Sequence, residues 1–327
     1  MHVLVTGNAG FIGGHLTAAL LKRGHAVTGI DIRPDNPQAG VCDCITGDIR
    51  DVAAMRLAFS KNGAVDMVVH LAAKHHDFGI MRDEYFSVNE GGMRTILNAA
   101  AEAGVKKMIF YSSVAVYGAT EADDDTAPAP INDYGQSKLA AEAVIRDWTA
   151  KGASRSAVAL RPAVVFGVNN YANMYNLMDK VIRRKFVWVG DGSNVKSVVY
   201  VENIIEATLF LMDGMRPGFV TYNYSDEPQP TTRSTVELIA RHGGVSVPRL
   251  RIPRFAARGT GAVLDAVARV SGVNLPITGA RITKFCTRTL FKSDKIRRAG
   301  FRQPYTLDEG FKRTVEWYLS LRGGPPA

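Results

Sequence analysis

The stretch VTGNAGFIGG, residues 5–14, places glycines at positions 7, 10 and 13, directly after a short apolar run and at the start of a helical pattern. In this arrangement Gly7 permits a tight turn, Gly10 lets the backbone approach a pyrophosphate, and Gly13 lets the helix pack closely on the strand. The N-terminus of the helix then faces the anion. The spacing therefore predicts a dinucleotide-binding βαβ unit.

Apolar runs and helical patterns alternate regularly through the first half of the chain. Runs such as MVVH and KMIFYSS are continuously apolar or β-branched, which suits strands buried on both faces. This alternation predicts an α/β fold, a Rossmann-type doubly wound parallel sheet. The predicted strands are 3–5, 26–30, 65–70 and 107–111, and the predicted helices are one that reaches residue 21, 54–59 and 85–103.

The alternation of apolar runs and helical patterns becomes less regular after Arg161-Pro162. There, Gly- and Asn-rich connections and the Pro-rich segment DEPQP separate shorter helical stretches. We therefore predict an NAD(P)-binding domain over residues 1–165, to which residues 196–225 return. A smaller, mixed C-terminal substrate lobe would comprise residues 166–195 and 226–327. Ligands in open α/β sheets bind at the carboxyl ends of the strands, where such a lobe would supply substrate contacts.

The chain has 327 residues, a formal net charge of +9 and a hydrophobic fraction of 46%. This length and composition are typical of a globular protein and exclude a disordered one. The positive charge is compatible with nucleic acid, an anionic membrane surface or an anionic small substrate. Aromatic residues are not interleaved with the basic ones after residue 240, as a base-stacking surface would require, so we predict no nucleic-acid partner.

The N-terminal residues carry no signal-peptide pattern, and no apolar run reaches the roughly 18 residues of a membrane span. We therefore expect a cytoplasmic protein. Cys42, Cys44 and Cys286 are too few and too unevenly spaced for a disulfide framework or a tetrahedral metal site, and we expect free thiols. The segment HHD at residues 75–77 lacks further ligands at metal-site spacing, so no metal is expected.

Asp31 lies at the end of the second predicted strand, 18 residues after Gly13, where a carboxylate can bind the ribose hydroxyls of an adenosine. It repels a ribose 2′-phosphate and so favours NAD over NADP. Arg33 could neutralise that phosphate, which leaves NADP as the alternative. Asp48-Ile49 would reach the adenine edge, and Asp48 can also cap the helix that follows it.

Tyr134-x-x-x-Lys138 places a phenol and an ammonium four residues apart on one helical face. A phenol with a reference pKa of about 10 is a poor base near neutrality, but a neighbouring cation stabilises its phenolate. Ser113, at the end of a predicted strand, can donate a hydrogen bond to a substrate oxygen and hold it against Tyr134. These residue types predict acid/base chemistry at a substrate carbinol.

Together with the glycine motif, this order of residues resembles the extended short-chain dehydrogenase/reductase family, the group of NAD-dependent sugar-nucleotide epimerases and dehydratases. The matching stretches are TGNAGFIG, HLAA, SSVAVYG, YGQSK, LRPAVVFG, VYVENIIEA and a closing FKSDK. The resemblance implies that Ser113 and Tyr134 surround the reacting oxygen and that Lys138 binds the nicotinamide ribose. The full set of predicted cofactor-binding residues is Gly7, Asn8, Ala9, Gly10, Phe11, Ile12, Gly13, Asp31, Ile32, Arg33, Asp48, Ile49, Leu71, Ala72, Ala73, Asn89, Tyr134, Lys138, Pro162 and Val164.

The resemblance also separates subgroups of the family. In 4,6-dehydratases an Asp-Glu pair follows the catalytic hydroxyl residue, whereas this chain has Val114 and Ala115, which disfavours a dehydratase. Val164 stands where epimerases of the group often carry an Asn, a departure from the usual UDP-galactose enzymes. Lys196 lies at a position that often contacts the substrate diphosphate, and Arg288 lies near a second one. The predicted substrate-binding residues are His75, Ser113, Asn173, Lys196 and Arg288.

The family implies a homodimeric sugar-nucleotide 4-epimerase, which passes through a transient 4-keto sugar. The first alternative is an NAD(P)-dependent dehydrogenase or reductase of a sugar nucleotide or a sterol-like alcohol, which would use the same residues. The second is a non-catalytic NAD(P)-binding regulator, against which the intact Ser113, Tyr134 and Lys138 argue. Residues 253–270 alternate arginine with apolar residues, a pattern compatible with peripheral membrane contact and with docking of a lipid-linked sugar.

Overall fold

The structure, a computed structural model, describes residues 1–75, 79–252 and 286–322. The strands are β1 (His2–Thr6), β2 (Ala26–Asp31), β3 (Asp43–Thr46), β4 (Met67–His70), β5 (Lys107–Tyr111), β6 (Glu121–Ala122), β7 (Ser156–Pro162), β8 (Val164–Phe166), β9 (Trp188–Val189), β10 (Val198–Tyr200), β11 (Gly218–Tyr224), β12 (Arg251–Ile252) and β13 (Leu290–Phe291). The helices are α1 (Phe11–Lys22), α2 (Val52–Ser60), α3 (Arg82–Phe86), α4 (Gly92–Glu102), α5 (Asp133–Ala150), α6 (Asn173–Ile182), α7 (Val201–Asp213), α8 (Thr232–His242), α9 (Asp294–Arg298) and α10 (Leu307–Ser320).

Seven strands form one parallel sheet in the order β11-β7-β5-β4-β1-β2-β3. The chain builds outward in one direction from β1 through β2 to β3, and in the other from β4 to β11. The prediction of a doubly wound parallel sheet is therefore confirmed. The order reverses between β1 and β4, and in folds of this kind the crevice at the carboxyl ends of such strands is where ligands bind.

The central strands are buried on both faces, which explains their continuous apolar runs. Every residue of β1 and β4 is buried. On one side of the sheet, Leu4, Val68 and Phe110 share a cluster with Met55 of α2 and Ile96 of α4. This packing holds the carboxyl ends of the strands in fixed positions.

The segment after β4 departs from a regular helix. A π-helical turn over Ser87–Gly91 separates α3 from α4. The prediction of one continuous helix over residues 85–103 is therefore confirmed only outside this turn. Turns of this type are often found at functional sites, and Asn89 lies within this one.

The chain divides into two compact units. The first comprises residues 1–165, 201–225 and 291–304, and the second comprises 166–200, 226–290 and 305–327. Residues 291–304, which the sequence pattern assigned to the substrate lobe, belong to the first unit. In the second unit, α10 packs on α8, and Phe166 stacks on Phe311 with ring centroids 4.5 Å apart.

A buried ion pair joins α5 to β7. The side chains of Glu142 and Arg161 are 0% and 4% exposed, and Arg161 donates to both carboxylate oxygens, from Nε at 2.9 Å and from Nη2 at 2.5 Å. Ser112 Oγ also donates to Glu142 Oε1, at 2.6 Å, and Arg161 Nη1 donates to the Tyr117 hydroxyl at 2.9 Å. Both charges are thus paired and hydrogen-bonded, as buried charges must be.

We expect Glu142→Gln to lower the free energy of unfolding by about 3–5 kcal/mol, because it leaves the Arg161 guanidinium buried without its counter-charge. Denaturant unfolding monitored by circular dichroism measures the change. The matched control is Glu102→Gln, which breaks an exposed ion pair with Arg56 and should leave the denaturant midpoint of unfolding unchanged. Equal free energies of unfolding for the two variants would contradict the prediction.

Candidate active site

The glycine loop after β1 is closely packed on the residues that follow β4. Gly7 has a φ of 76° and donates its N–H to the carbonyl of Ile30 at 2.8 Å. A Cβ on Gly7 would lie 2.7 Å from the amide nitrogen of Ala72, and one on Gly13 would lie 2.1 Å from the carbonyl oxygen of Gly7. Any side chain would therefore force the loop apart. α1 begins after Gly10, with no side-chain cap among the described residues, so its first N–H groups are available to a pyrophosphate.

Asp31 at the end of β2 is held against this loop. One carboxylate oxygen accepts the N–H of Ala9 at 3.1 Å and the other accepts the N–H of Arg33 at 3.0 Å. The Arg33 guanidinium donates to the carbonyl of Ala9 at 3.1 Å and pairs with Asp35 at 3.2 Å, which lowers the pKa of Asp35. The structure thus gives Arg33 a nearby counter-charge, while Asp31 stays at the position expected of a ribose ligand.

Asn8 is turned away from the cleft. Its amide nitrogen lies 3.3 Å from Cys44 Sγ, its amide oxygen accepts from Asn36 at 3.0 Å, and its side chain lies directly over Gly29. The side chain is buried. Asn8 can therefore contribute its backbone to a cofactor site, and its side chain supports the loop from beneath.

The pair Asp48-Ile49 differs from its predicted arrangement. Asp51, and not Asp48, caps α2, by accepting the N–H of Ala53 at 2.8 Å. Asp48 instead pairs with Arg50 at 2.6 Å, and hydrogen bonds from Arg50 lower the pKa of its carboxyl. Ile49 is 3% exposed and its side chain packs in the core, and the contact of Asp48-Ile49 with an adenine stays a prediction.

The remaining predicted cofactor residues fall at two places in the first unit. Phe11 and Ile12 are half-buried in the first turn of α1, while Ile32 is exposed just after β2. Pro162 ends β7 and is buried, and Val164 is exposed in β8. Leu71 and Ala73 flank Ala72 in the half-buried segment that follows β4.

The carboxyl ends of β1 and β4 are joined to the π turn and to α5. Thr6 Oγ1 lies 2.6 Å from His70 Nδ1, and burial lowers the pKa of His70 to about 3, so its ring is neutral. Asn89 accepts the N–H of Lys74 at 2.9 Å and donates to Ser137 Oγ at 2.9 Å. The Asn89 side chain thus connects the segment after β4 to the helix that carries the predicted base.

Ser113 and Tyr134 come from segments in close contact. Ser113 precedes the 3-10 turn Val114–Tyr117, and its Oγ accepts the N–H of Ala115 at 3.1 Å. α5 begins next to this turn: a Cβ on Gly135 would lie 2.4 Å from the carbonyl oxygen of Ala115. Asn132 caps the helix by accepting the N–H of Gly135 at 2.8 Å. The half-buried Tyr134 is therefore positioned at the same turn as Ser113.

Lys138 lies one turn along α5 and is 2% exposed. Its Nζ donates to the carbonyl of Tyr111 at 2.7 Å and lies 4.6 Å from the centre of the Phe110 ring. Burial lowers the pKa of Lys138 to about 7, against the opposing effect of Glu142, which favours the ammonium. The charge of Lys138 therefore titrates near neutrality, and its position is fixed by the strand that leads to Ser113.

Sequence reasoning missed several residues that build this site. Gly135 and Ser137 lie inside the matched stretch YGQSK, so the signal was present, but their contacts are with the distant Ala115 and Asn89. Glu142 carries no local signal at all, because its partner Arg161 lies on another element.

The predicted substrate-binding residues are divided between the two units. Ser113 and the exposed His75 belong to the first, and Asn173, which begins α6, belongs to the second. Lys196 and Arg288 also lie in the second unit, on adjacent segments, since Lys196 pairs with Thr289 in a parallel bridge. The backbone segments of these two residues, distant in sequence, are thus adjacent in the fold.

Cys42 and Cys44 are free thiols with their sulfur atoms 3.6 Å apart, and Cys286 is also free. His76 and Asp77 lie outside the described residues, as does the segment 253–270. Among the helices that the structure describes, none is long and apolar enough to cross a membrane.

Comparisons with known proteins agree with this architecture. Residues 3–223 match the model of the NAD dependent epimerase/dehydratase family. The chain is 35% identical over 322 residues to the N-acetyl-alpha-D-glucosaminyl-diphospho-ditrans,octacis-undecaprenol 4-epimerase of Escherichia coli O157:H7, a match that covers 97% of this chain and 95% of that protein.

Two solved structures share the fold. The UDP-glucose 4-epimerase of Thermus thermophilus in complex with NAD superposes with a TM-score of 0.75 at 24% identity, covering 97% of this chain and 99% of that one. The UDP-glucuronic acid 4-epimerase of Bacillus cereus in complex with NAD gives 0.76 at 22% identity, covering 98% and 99%. With the family match over most of its length and a relative above 30% identity, this chain belongs to the NAD-dependent epimerase/dehydratase family.

Proposed function

We propose that this chain is an NAD-dependent sugar-nucleotide 4-epimerase that acts through a transient 4-keto sugar. The observation that supports the proposal is the close contact of α5, which carries Tyr134 and Lys138, with the turn that follows Ser113 beyond the carboxyl end of β5. The glycine loop after β1 lies at the same edge of the sheet. The 4-epimerase from Escherichia coli supports the reaction type.

In this proposal Tyr134 takes the proton of the C4 hydroxyl and later returns it to the 4-keto oxygen. Bound NAD would accept the C4 hydride, and its reduced form would return it to the other face. Ser113 donates a hydrogen bond to the reacting oxygen, and the Lys138 ammonium stabilises the Tyr134 phenolate. Because each hydride is returned, no external oxidant or reductant is consumed.

The residues next to Ser113 favour this reaction over dehydration. Val114 and Ala115 form the turn that follows Ser113, and neither carries a carboxyl group. Elimination of water from the sugar needs an acid beside the 4-keto intermediate. This turn offers none, which supports epimerisation.

The substrate is expected to be a sugar on a diphosphate, held by Lys196 and Arg288. Their segments are adjacent in the backbone, which supports the proposal, and two cations could each make a charge-assisted hydrogen bond to a diphosphate. A nucleotide is the carrier that we propose first. The name of the relative from Escherichia coli makes a polyprenyl diphosphate the second carrier to be tested.

We also infer a homodimer in the cytoplasm. The family resemblance supports the dimer, and the free cysteines are compatible with a reducing compartment. Light scattering on the purified chain and fractionation of cells test the two statements.

An epimerase should convert its substrate with NAD in trace amounts and accumulate no free NADH. The test uses a panel of UDP-, GDP- and dTDP-sugars and a polyprenyl diphosphate sugar, with product and 340 nm absorbance followed together. Stoichiometric NADH with one substrate would instead identify a dehydrogenase. NAD binding without turnover of any compound in the panel would favour a regulator.

We expect Tyr134→Phe to lower kcat by on the order of 10²- to 10⁴-fold, because it removes the hydroxyl that transfers the proton. Affinity for NAD should be retained, since the ring and the helix remain. Tyr171→Phe, at an exposed tyrosine of the second unit, is the matched control and should be fully active. Full activity of the Tyr134 variant would overturn the proposed mechanism.

Asp31 should determine the choice of cofactor. The unmodified chain is expected to bind NAD more tightly than NADP, and Asp31→Asn should reduce this preference on the order of tenfold, because a charged hydrogen-bond acceptor is lost. Titration with both oxidised cofactors gives the ratio of Kd values, with Asp43→Asn as control. Tighter binding of NADP by the unmodified chain would show that Arg33 dominates.

A further inference from the structure

Two segments of the second unit expose basic and apolar side chains together. Residues 180–185, at the C-terminal end of α6, contain four cations that are all exposed: Lys180, Arg183, Arg184 and Lys185. Residues 247–252 alternate the exposed arginines 249 and 251 with apolar side chains. In this segment Val247, Leu250 and Ile252 are 40%, 64% and 39% exposed. We call residues 180–185 and 247–252 the basic edge.

The two segments lie next to each other in the second unit. The N–H of Trp188 donates to the carbonyl of Leu250 at 2.9 Å, and its indole N–H donates to the carbonyl of Pro248 at 2.7 Å. β12 pairs with β9 in the register Arg251↔Trp188. On the other side, a Cβ on Gly243 would touch Ile182 at 2.8 Å. Trp188 is 3% exposed and so anchors the basic edge to the interior of the unit.

The cations of the basic edge are largely uncompensated. Arg183 pairs with Asp179 at 3.2 Å. For Lys180, Arg184 and Lys185, and for the two arginines of residues 247–252, the part of the chain that the structure describes contains no carboxylate within ion-pair distance. Arg184 also occupies a left-handed backbone position, with a φ of 59°, where a helix usually ends in glycine. A cation is thus present at a position that favours a residue without a side chain.

This combination fits a lipid surface better than the alternatives. Isolated exposed apolar residues are ordinary, but three within six positions and flanked by cations resemble an interfacial segment, where apolar groups enter the acyl boundary and cations meet lipid phosphates. Single-stranded nucleic acid would require exposed aromatic rings for base stacking, and the aromatic side chain that hydrogen-bonds to residues 247–252, Trp188, is buried. The positive net charge of the chain adds long-range attraction to an anionic surface.

We propose that the basic edge docks this protein on an anionic phospholipid bilayer. The proposal rests on the second of the two carriers proposed above: a polyprenyl diphosphate sugar lies in a bilayer, so an enzyme that uses one must work at that surface. Residues 253–270 follow the basic edge in sequence, lie outside the described residues, and form no part of it.

The test measures binding of the full chain to vesicles of phosphatidylcholine alone and of phosphatidylcholine with phosphatidylglycerol, by flotation. The unmodified chain should bind the anionic vesicles, and added salt should weaken the binding. Arg184→Glu/Lys185→Glu should lower the binding constant by on the order of tenfold or more, since each basic residue near such a surface contributes about fivefold. Leu250→Ser should also weaken binding, with an effect that persists in high salt.

The matched control is Lys106→Glu/Lys107→Glu, which makes the same change in charge at two exposed lysines of the first unit and should bind normally. The proposal is overturned if the unmodified chain does not bind anionic vesicles. It is also overturned if both double variants lose vesicle binding equally, or if Arg184→Glu/Lys185→Glu binds the vesicles as the unmodified chain does. Loss of duplex DNA binding in that variant, without vesicle binding by the unmodified chain, would identify a nucleic-acid surface instead. Turnover of UDP-sugars is measured in parallel, so that failure of the catalytic proposal is seen separately.

Discussion

The close approach of the glycine loop to the segment after β4 is the constraint on which the proposed site depends. Gly7 and Ala72 come together because no Cβ intervenes, and Gly13 lets α1 begin directly over the loop. The N–H of Ala9 can then reach the Asp31 carboxylate at the end of β2. One backbone geometry thus brings the ends of three parallel strands and the start of a helix to a single crevice, where the first N–H groups of α1 can receive an anion.

Three buried polar side chains of α5 each have a partner on another element of the fold. Ser137 accepts from Asn89, Lys138 donates to the carbonyl of Tyr111, and Glu142 pairs with Arg161. A buried ammonium or carboxylate without such partners would be strongly destabilising. The same contacts that remove this penalty fix the helix relative to the strand that leads to Ser113. Stability and the placement of the proposed base therefore have one physical origin.

The two proposals depend on cations in opposite environments, one buried and one exposed to solvent. In the proposed active site, Lys138 is buried away from water, and the pKa of its ammonium falls to about 7. On the basic edge, Arg184 and Lys185 remain exposed, where their attraction to an anionic surface is long-ranged and weakened by salt. The first arrangement favours chemistry at one atom, and the second favours reversible association with a partner.

The sequence by itself determined whatever depends on residues near one another in the chain. The glycine spacing, the continuous apolar strands, Asp31 at a strand end and the four-residue spacing of Tyr134 and Lys138 are local patterns, and they predicted the doubly wound sheet and the placement of its loop. Only the tertiary structure decided the π turn at residues 87–91 and the capping of α2 by Asp51. In both segments the local sequence is compatible with more than one backbone conformation or capping residue. Only the tertiary structure could pair Glu142 with Arg161, or bring the segment of Lys196 beside that of Arg288. These last features depend on packing between elements distant in sequence, and no local periodicity reports which distant groups a folded backbone brings within hydrogen-bond range.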